Sequence, residues 1–269
     1  MKKLYLIPAL LIAVGAVVLF TGCEDIIGDK PTNVILSAAT DTSVMITWAA
    51  PATAPDKYLI YFKGVGQASY ASVGEATTTT FTHNPGGATG KYFVAAKYGS
   101  DEYDSDVKST EPIATASTSL SELNATGNSG YGWNRTSFAG TTYSMAEAAN
   151  ASAVDLYLTN FAAGFAATPY NIASPDMGPT DPGGVVPAGS WRVNAISDPI
   201  TDPQLPLPKH TTTTYFNYIP LNAYPTYLAV YTADGYYGLI KIDGLNTGAG
   251  TVTIESRFQA VKGLRLIQH

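Results

Sequence analysis

The chain has 269 residues, a formal net charge of −6, 13% charged and 45% apolar residues, so it lacks the clustered Lys and Arg with which a nucleic-acid partner's phosphates would be neutralised. A single cysteine leaves no disulfide framework, and the fold must rest on burial. With 18 tyrosines, 25 glycines and many Thr, Ser and Ala, the composition suits strands and turns, and the length accommodates one large or two ordinary domains.

Lys2 and Lys3 open the chain, an apolar run extends from Leu4 to Phe20, and Thr21 and Gly22 precede Cys23. This order of charged, apolar and small-residue regions predicts an export signal. Pro8 would kink a membrane-spanning helix in the same stretch, which is at the lower length limit for one. Phe20-Thr21-Gly22-Cys23 resembles the lipobox of bacterial lipoproteins, with Phe20 where that family usually has leucine. The resemblance implies that residues 1 to 22 are a signal peptide and that Cys23 is lipidated, in the manner of a palmitate-bearing anchor. The mature chain would be extracytoplasmic and tethered to a bacterial membrane, the outer membrane by preference. Residues 23 to 29, with Glu24, Asp25 and Asp29, are the expected tether.

From Lys30 the pattern changes to period-two alternation, the mark of half-buried strands. Val34 and Leu36 alternate, then Val44, Ile46 and Trp48, then Tyr58, Ile60 and Phe62; further strands are expected near Tyr70 to Val73, over Thr77 to Thr82, from Lys91 to Tyr98 and from about Asp106. Short strands about ten residues apart predict an all-β fold of sandwich type over residues 30 to 117. Trp48 with Pro51, Tyr58-x-Ile60-x-Phe62, Phe81, Tyr92 and Glu102-Tyr103-Asp104-Ser105 resemble a fibronectin type III domain, an immunoglobulin-like sandwich. Gly86 stands where that family usually has a core leucine. The resemblance implies a spacing or protein-binding module in which Trp48 is the central core aromatic and Tyr92 is a corner tyrosine bonded to backbone. Asp101, Glu102, Asp104 and Asp106 offer oxygen atoms but lack the ligand spacing of a calcium loop.

The uncharged stretch Ala114 to Ser119 reads as a brief linker, and residues 119 to 269 as a second antiparallel, β-rich domain. Met145 to Ala151 could make two helical turns, and Val154, Leu156 and Leu158 alternate as a strand. More than half of the prolines fall between Thr168 and Pro208, which predicts mostly loop, broken by a strand near Ser190 to Ile196. Such a loop contributes little to stability on this reading and is the first place to look for a binding surface. Tyr227 to Thr232, Tyr236 to Ile242 and Thr251 to Gln259, joined by an Asp234-Gly235 turn and a second tight connection, predict a meander with one buried face. Asp155-Leu156-Tyr157-Leu158, Thr232-Ala233-Asp234-Gly235-Tyr236-Tyr237 with Lys241, and Thr251-Val252-Thr253-Ile254 weakly resemble the HmuY-type haem-binding lipoproteins. No ligand residue carries over from that family: His210, His269, Met145 and Met177 are the available iron ligands, and none stands in a recognisable site.

His83, His210 and His269 belong to no motif, and no phosphate loop, zinc motif or Cys pair occurs. The sequence therefore predicts no catalytic, cofactor-binding or metal residues, and a non-enzymatic lipoprotein with a binding, adhesion or spacer role. A haem or small-ligand carrier is the alternative, and a secreted hydrolase the next. Tyr131, Trp133, Trp191, Tyr215 and Tyr218 could stack on a glycan or on an apolar face of a protein partner, and the competing expectation is that they fill the core.

Overall fold

The structure is a computed structural model and describes residues 29 to 269. The expected signal peptide, Cys23 and most of the tether lie outside the described residues. The fold is all-β, as the alternating patterns predict.

Eight strands make the first unit: β1 (Thr32–Thr40), β2 (Ser43–Ala49), β3 (Lys57–Gly64), β4 (Ala71–Ala76), β5 (Thr80–His83), β6 (Gly90–Tyr98), β7 (Asp101–Asp104) and β8 (Lys108–Ser109). One antiparallel sheet has the order β1-β2-β5, and the other β4-β3-β6-β7 with β8 also on β6. The two sheets face each other as an antiparallel β-sandwich, the fold that the alternation predicts. Alternation does the work expected of it. On β3, Tyr58, Ile60 and Phe62 face inward and Leu59, Tyr61 and Lys63 outward. Trp48 is 6% exposed and meets Tyr58 edge-on at 5.1 Å. Tyr92 is buried, but its hydroxyl pairs with His83 Nδ1 at 2.9 Å, a side-chain partner in place of the expected backbone one. Gly86 occupies a left-handed turn at φ +63, its N–H donating to Asn84 Oδ1, a conformation that a leucine there would resist.

The expected linker is a strand. β9 (Ile113–Ser121) runs antiparallel along the last strand of the chain and closes a sheet of the second unit. Its Thr and Ser residues read as linker because an edge strand needs few apolar side chains; its backbone pairing is what fixes it. The unit boundary therefore falls before Ile113, not at 117 to 119. Residues 119 to 269 are not self-contained either, because Val261, Leu264 and Leu266 insert into the core of the first sandwich.

The second unit continues with β10 (Gly130–Trp133), β11 (Gly140–Tyr143), β12 (Leu156–Thr159), β13 (Asn171–Ala173), β14 (Ala195–Ser197), β15 (Tyr215–Phe216), β16 (Tyr218–Pro220), β17 (Thr226–Tyr231), β18 (Tyr237–Asn246) and β19 (Thr251–Phe258). Two sheets, ordered β11-β10-β12-β13-β16 and β15-β14-β17-β18-β19-β9, pack over a shared core that includes Tyr131, Trp133, Leu158, Ile172, Val230, Ile240 and Phe258. Trp133 stacks on Phe258 at 4.8 Å, and a Cβ at Gly238 would lie 2.7 Å from its ring, so the close approach requires glycine. Ser256, the polar residue among the inward positions of β19, has a reason to be there: its Oγ pairs with Tyr131 Oη at 2.7 Å and accepts from Trp133 Nε1 at 2.9 Å.

Both sheets are covered on their outer faces as well. Val186 and Trp191 of the proline-rich segment pack with Met145, Val154, Tyr157 and Ala173 over the five-stranded sheet. Leu207, Tyr215 and Ile267 pack with Ala229, Tyr237 and Leu239 over the six-stranded one. The first two strands of the meander are therefore largely buried on both faces where one was expected, whereas β19 keeps its single buried face; β12 is buried at every position. Met145 to Ala151 makes only a 3-10 turn at Ala148–Asn150.

Candidate functional site

Four of the five aromatic residues weighed as a stacking surface are core residues. Tyr131, Trp133, Trp191 and Tyr215 are between 0% and 6% exposed. Tyr218 differs: it is 46% exposed, and its neighbour Phe216, which the sequence did not single out, is 41% exposed. The two flank Asn217 where the chain leaves the edge of one sheet as β15 and enters the edge of the other as β16. Phe216 registers with Ile196 and Tyr218 with Ala173. Tyr218 is braced edge-on by Phe161 at 5.1 Å. A shallow cleft of about 600 Å³ opens between these rings, lined by Asp198, Thr212, Tyr215, Phe216, Asn217, Tyr218, Ile219 and Pro220. Paired apolar rings rimmed by a carboxylate, a hydroxyl and an amide can stack on one face of a ligand and bond its hydroxyl groups.

The proline-rich segment builds the base of this cleft instead of forming a free loop. Its β13 and β14 are the strands on which β16 and β15 lie. The backbone N–H of Ser174 donates to Asn217 O at 2.7 Å, which fixes the crossover between the two sheets.

The strongest electrostatic feature lies elsewhere and is structural in its geometry. Asp155 is fully buried and accepts from Arg135 through both oxygens, at 2.9 and 2.8 Å, and from the Trp133 backbone N–H at 2.9 Å. Arg192 Nε stands 3.1 Å from Asp155 Oδ1 without hydrogen-bond alignment, and both arginines bond Asp234 in the β17–β18 turn. Burial alone would raise the Asp234 carboxyl, but hydrogen bonds from Arg135 and Thr232 and the charges of Arg135 and Arg192 outweigh it and hold the group well below the usual carboxylate range. Two cations and two carboxylates close on each other, which leaves no free charge for a ligand.

Two further carboxylates, Glu122 and Asp181, are buried but saturated. Glu122 accepts from the backbone N–H groups of Asn124 and Asn160, and Asp181 from Tyr157, Thr159 and Gly183. Desolvation raises the Glu122 carboxyl. The histidines and methionines stand apart. His210 stacks on Tyr231 at 4.1 Å, His269 bonds Glu255, and His83 bonds Tyr92. Met145 and Met177 belong to the apolar cluster over the five-stranded sheet, whereas His210 and His269 lie against Tyr231 and Tyr227 of the six-stranded one. In the acidic run, Glu102 turns to Lys97 and Tyr61, and Asp106 to Lys30. Among the described residues no three His, Cys, Asp or Glu converge as metal ligands.

No family model matches the chain, and no curated protein does. Solved structures that it is similar to include domains A168–A170 of titin, at 24% identity, covering 30% of this chain and 32% of that one with a TM-score of 0.26. A fibronectin type III domain of human collagen XX is 23% identical, over 30% of this chain and 88% of that one, with a TM-score of 0.25. A two-domain fibronectin type III segment of chicken tenascin is 12% identical, over 86% and 99%, with a TM-score of 0.26. The chain spans about a third of the titin segment's length.

Proposed function

We propose that the chain is a non-enzymatic lipoprotein, lipid-anchored through Cys23 on the outer membrane, in which the first sandwich is a spacer and the second presents the Phe216–Tyr218 cleft to a glycan. The observation that carries the binding reading is the pair of exposed rings at a rigid sheet edge, with Asp198, Thr212 and Asn217 beside them. Two large rings half in water within two residues of each other, one of them held in place by Phe161, form a local apolar surface of the kind that stacks on a ligand.

The spacer reading has geometric support. Asp29 accepts through its carbonyl from Tyr98 Oη, beside Thr53, at one end of β6. The second unit meets the other end, where Gln259 bonds Thr110 O and Thr110 bonds Gly90. The nine residues of β6 separate those ends by roughly 30 Å.

The test has two arms. Labelled palmitate should enter the chain and be lost in Cys23→Ala, with membrane attachment lost alongside it. Affinity electrophoresis against neutral polysaccharides should show retardation that falls by roughly tenfold in a Phe216→Ala/Tyr218→Ala variant with an unchanged melting temperature. Equal retardation of parent and variant by every polysaccharide defeats the cleft, and unchanged labelling of Cys23→Ala defeats the anchor.

A further inference from the structure

The Phe216–Tyr218 cleft carries a single charged side chain, that of Asp198. Asp198 lies one residue beyond β14, whose Ile196 registers with Phe216; the alternation of a strand therefore sets Asp198 and Phe216 on one face of the sheet, diagonal to each other. The position is held firmly. Ser197 Oγ donates to Asp198 O at 2.7 Å and accepts from the Ala229 N–H at 2.9 Å, and Pro199 restricts the residue before it to extended backbone.

The charge balance around the cleft is one-sided. Asp198 is exposed, and its carboxylate has no ion-pair or hydrogen-bond partner among the described residues. Asp41, Glu75, Glu102, Asp106 and Asp243, by contrast, each pair with a Lys or Arg. No Lys, Arg or His lines the cleft. The Thr212 hydroxyl and the Asn217 side-chain amide are likewise uncommitted among the described residues. On a chain of net charge −6, an unpaired carboxylate attracts cations and repels anions.

We propose, on the reading of the cleft as a glycan site, that its occupant is an amino-sugar polymer with free ammonium groups. A pyranose ring stacks on Phe216 or Tyr218, its ammonium pairs with the Asp198 carboxylate, and its hydroxyls bond Thr212 and Asn217. A uronic-acid polymer would bring its own carboxylates against Asp198. A lysine-rich peptide would satisfy Asp198 but carries no hydroxyls on its side chains for Thr212 and Asn217, so it fits less well. An N-acetylated sugar keeps the ring faces and hydroxyls and loses only the charge, which isolates the contribution of Asp198.

The full chain in detergent micelles is titrated calorimetrically with a chitosan oligosaccharide, with its fully N-acetylated counterpart and with polylysine, in a mildly acidic buffer that keeps the sugar amines protonated and the carboxylates ionised. Chitosan should bind about fivefold more tightly than the acetylated sugar, the size of one exposed ion pair, and lose that margin with added salt. Asp198→Asn should bring chitosan down to the affinity of the acetylated sugar, Asp198→Glu should keep the margin, and Asp101→Asn, on the first sandwich, should leave it unchanged. Phe216→Ala/Tyr218→Ala should weaken both sugars together; unaltered melting temperatures show that each variant is folded. Equal affinities of the two sugars in the parent, an Asp198→Asn variant that keeps the margin, or an Asp101→Asn variant that loses it overturns the ammonium proposal and leaves the cleft a glycan site. Binding of neither sugar, parental binding of both by the Phe216→Ala/Tyr218→Ala variant, or Asp198-dependent capture of polylysine alone overturns both.

Discussion

Asp155 shows how much a single buried charge can organise. It reads in the sequence as one polar position in an alternating strand, the outward partner of Leu156, and it is in fact fully buried. Its two oxygens collect the Arg135 guanidinium and the Trp133 N–H, and its own carbonyl accepts from Asn194 Nδ2 at 2.7 Å. Strand β10, the approach to β12 and the segment before β14 thus converge on one side chain. Arg135 in turn lies 5.0 Å over the Phe258 ring, which ties the network to the core. Replacing the carboxylate by an amide of the same shape leaves two arginines facing Asp234 alone. Breaking a buried pair in this way costs about 3–5 kcal/mol, so Asp155→Asn should move the urea midpoint down by the corresponding amount. A midpoint within error of the parent would mean that the arginines escape to water and that the network adds nothing.

At the scale of elements, what the sequence made legible depended on which faces each strand buries. The strands of the first sandwich have one face in the core and one in water, so Tyr58-x-Ile60-x-Phe62 and Val44-x-Ile46-x-Trp48 could be read directly. The second unit hides its pattern because loops cover the outer faces of both sheets. Strand β12 is buried throughout and so loses its alternation, and β10, Gly-Tyr-Gly-Trp, resembles a turn until Trp133 is seen against Gly238. The candidate site was half legible: Tyr218 was among the aromatics named, whereas Phe216 acquires its meaning only from the crossover between sheets. The proline-rich segment was misread for the same reason. Its prolines do prevent long ladders, but Trp191, 6% exposed and donating from Nε1 to Pro187 O at 3.0 Å, plugs the outer face of the five-stranded sheet. Truncating a large buried aromatic costs about 3–5 kcal/mol. Trp191→Ala should therefore destabilise the protein by roughly that much in denaturant melts, whereas a change under 1 kcal/mol would restore the view of this segment as a dispensable loop.

At the scale of the molecule, the two sandwiches share parts. Strand β9 leaves the first unit and becomes an edge of the second unit's larger sheet, while the chain after β19 returns to place Val261, Leu264 and Leu266 in the first unit's core. Arg265 bonds the Asp41 carboxylate at 3.1 Å and its N–H donates to Asp41 O, and Gln259 bridges Thr110 O and Leu266 O at 3.0 and 2.8 Å. Separate domains joined by a linker would melt independently; a first core that takes three of its buried residues from the far end of the chain loses them when that end unfolds. Leu264 is fully buried, and its truncation to alanine should cost about 2–5 kcal/mol, as large-to-small core changes do. If the units are coupled, calorimetry of the parent shows one transition, and Leu264→Ala moves the whole of it downward. Fluorescence from Trp48 in the first core and from Trp133 in the second should then fall at the same temperature, and single-tryptophan variants can separate the two signals. Two transitions, of which Leu264→Ala shifts only the one reported by Trp48, would show that the returning segment packs on the first sandwich without joining its fate to the second. The two units would then be joined by a hinge before Ile113.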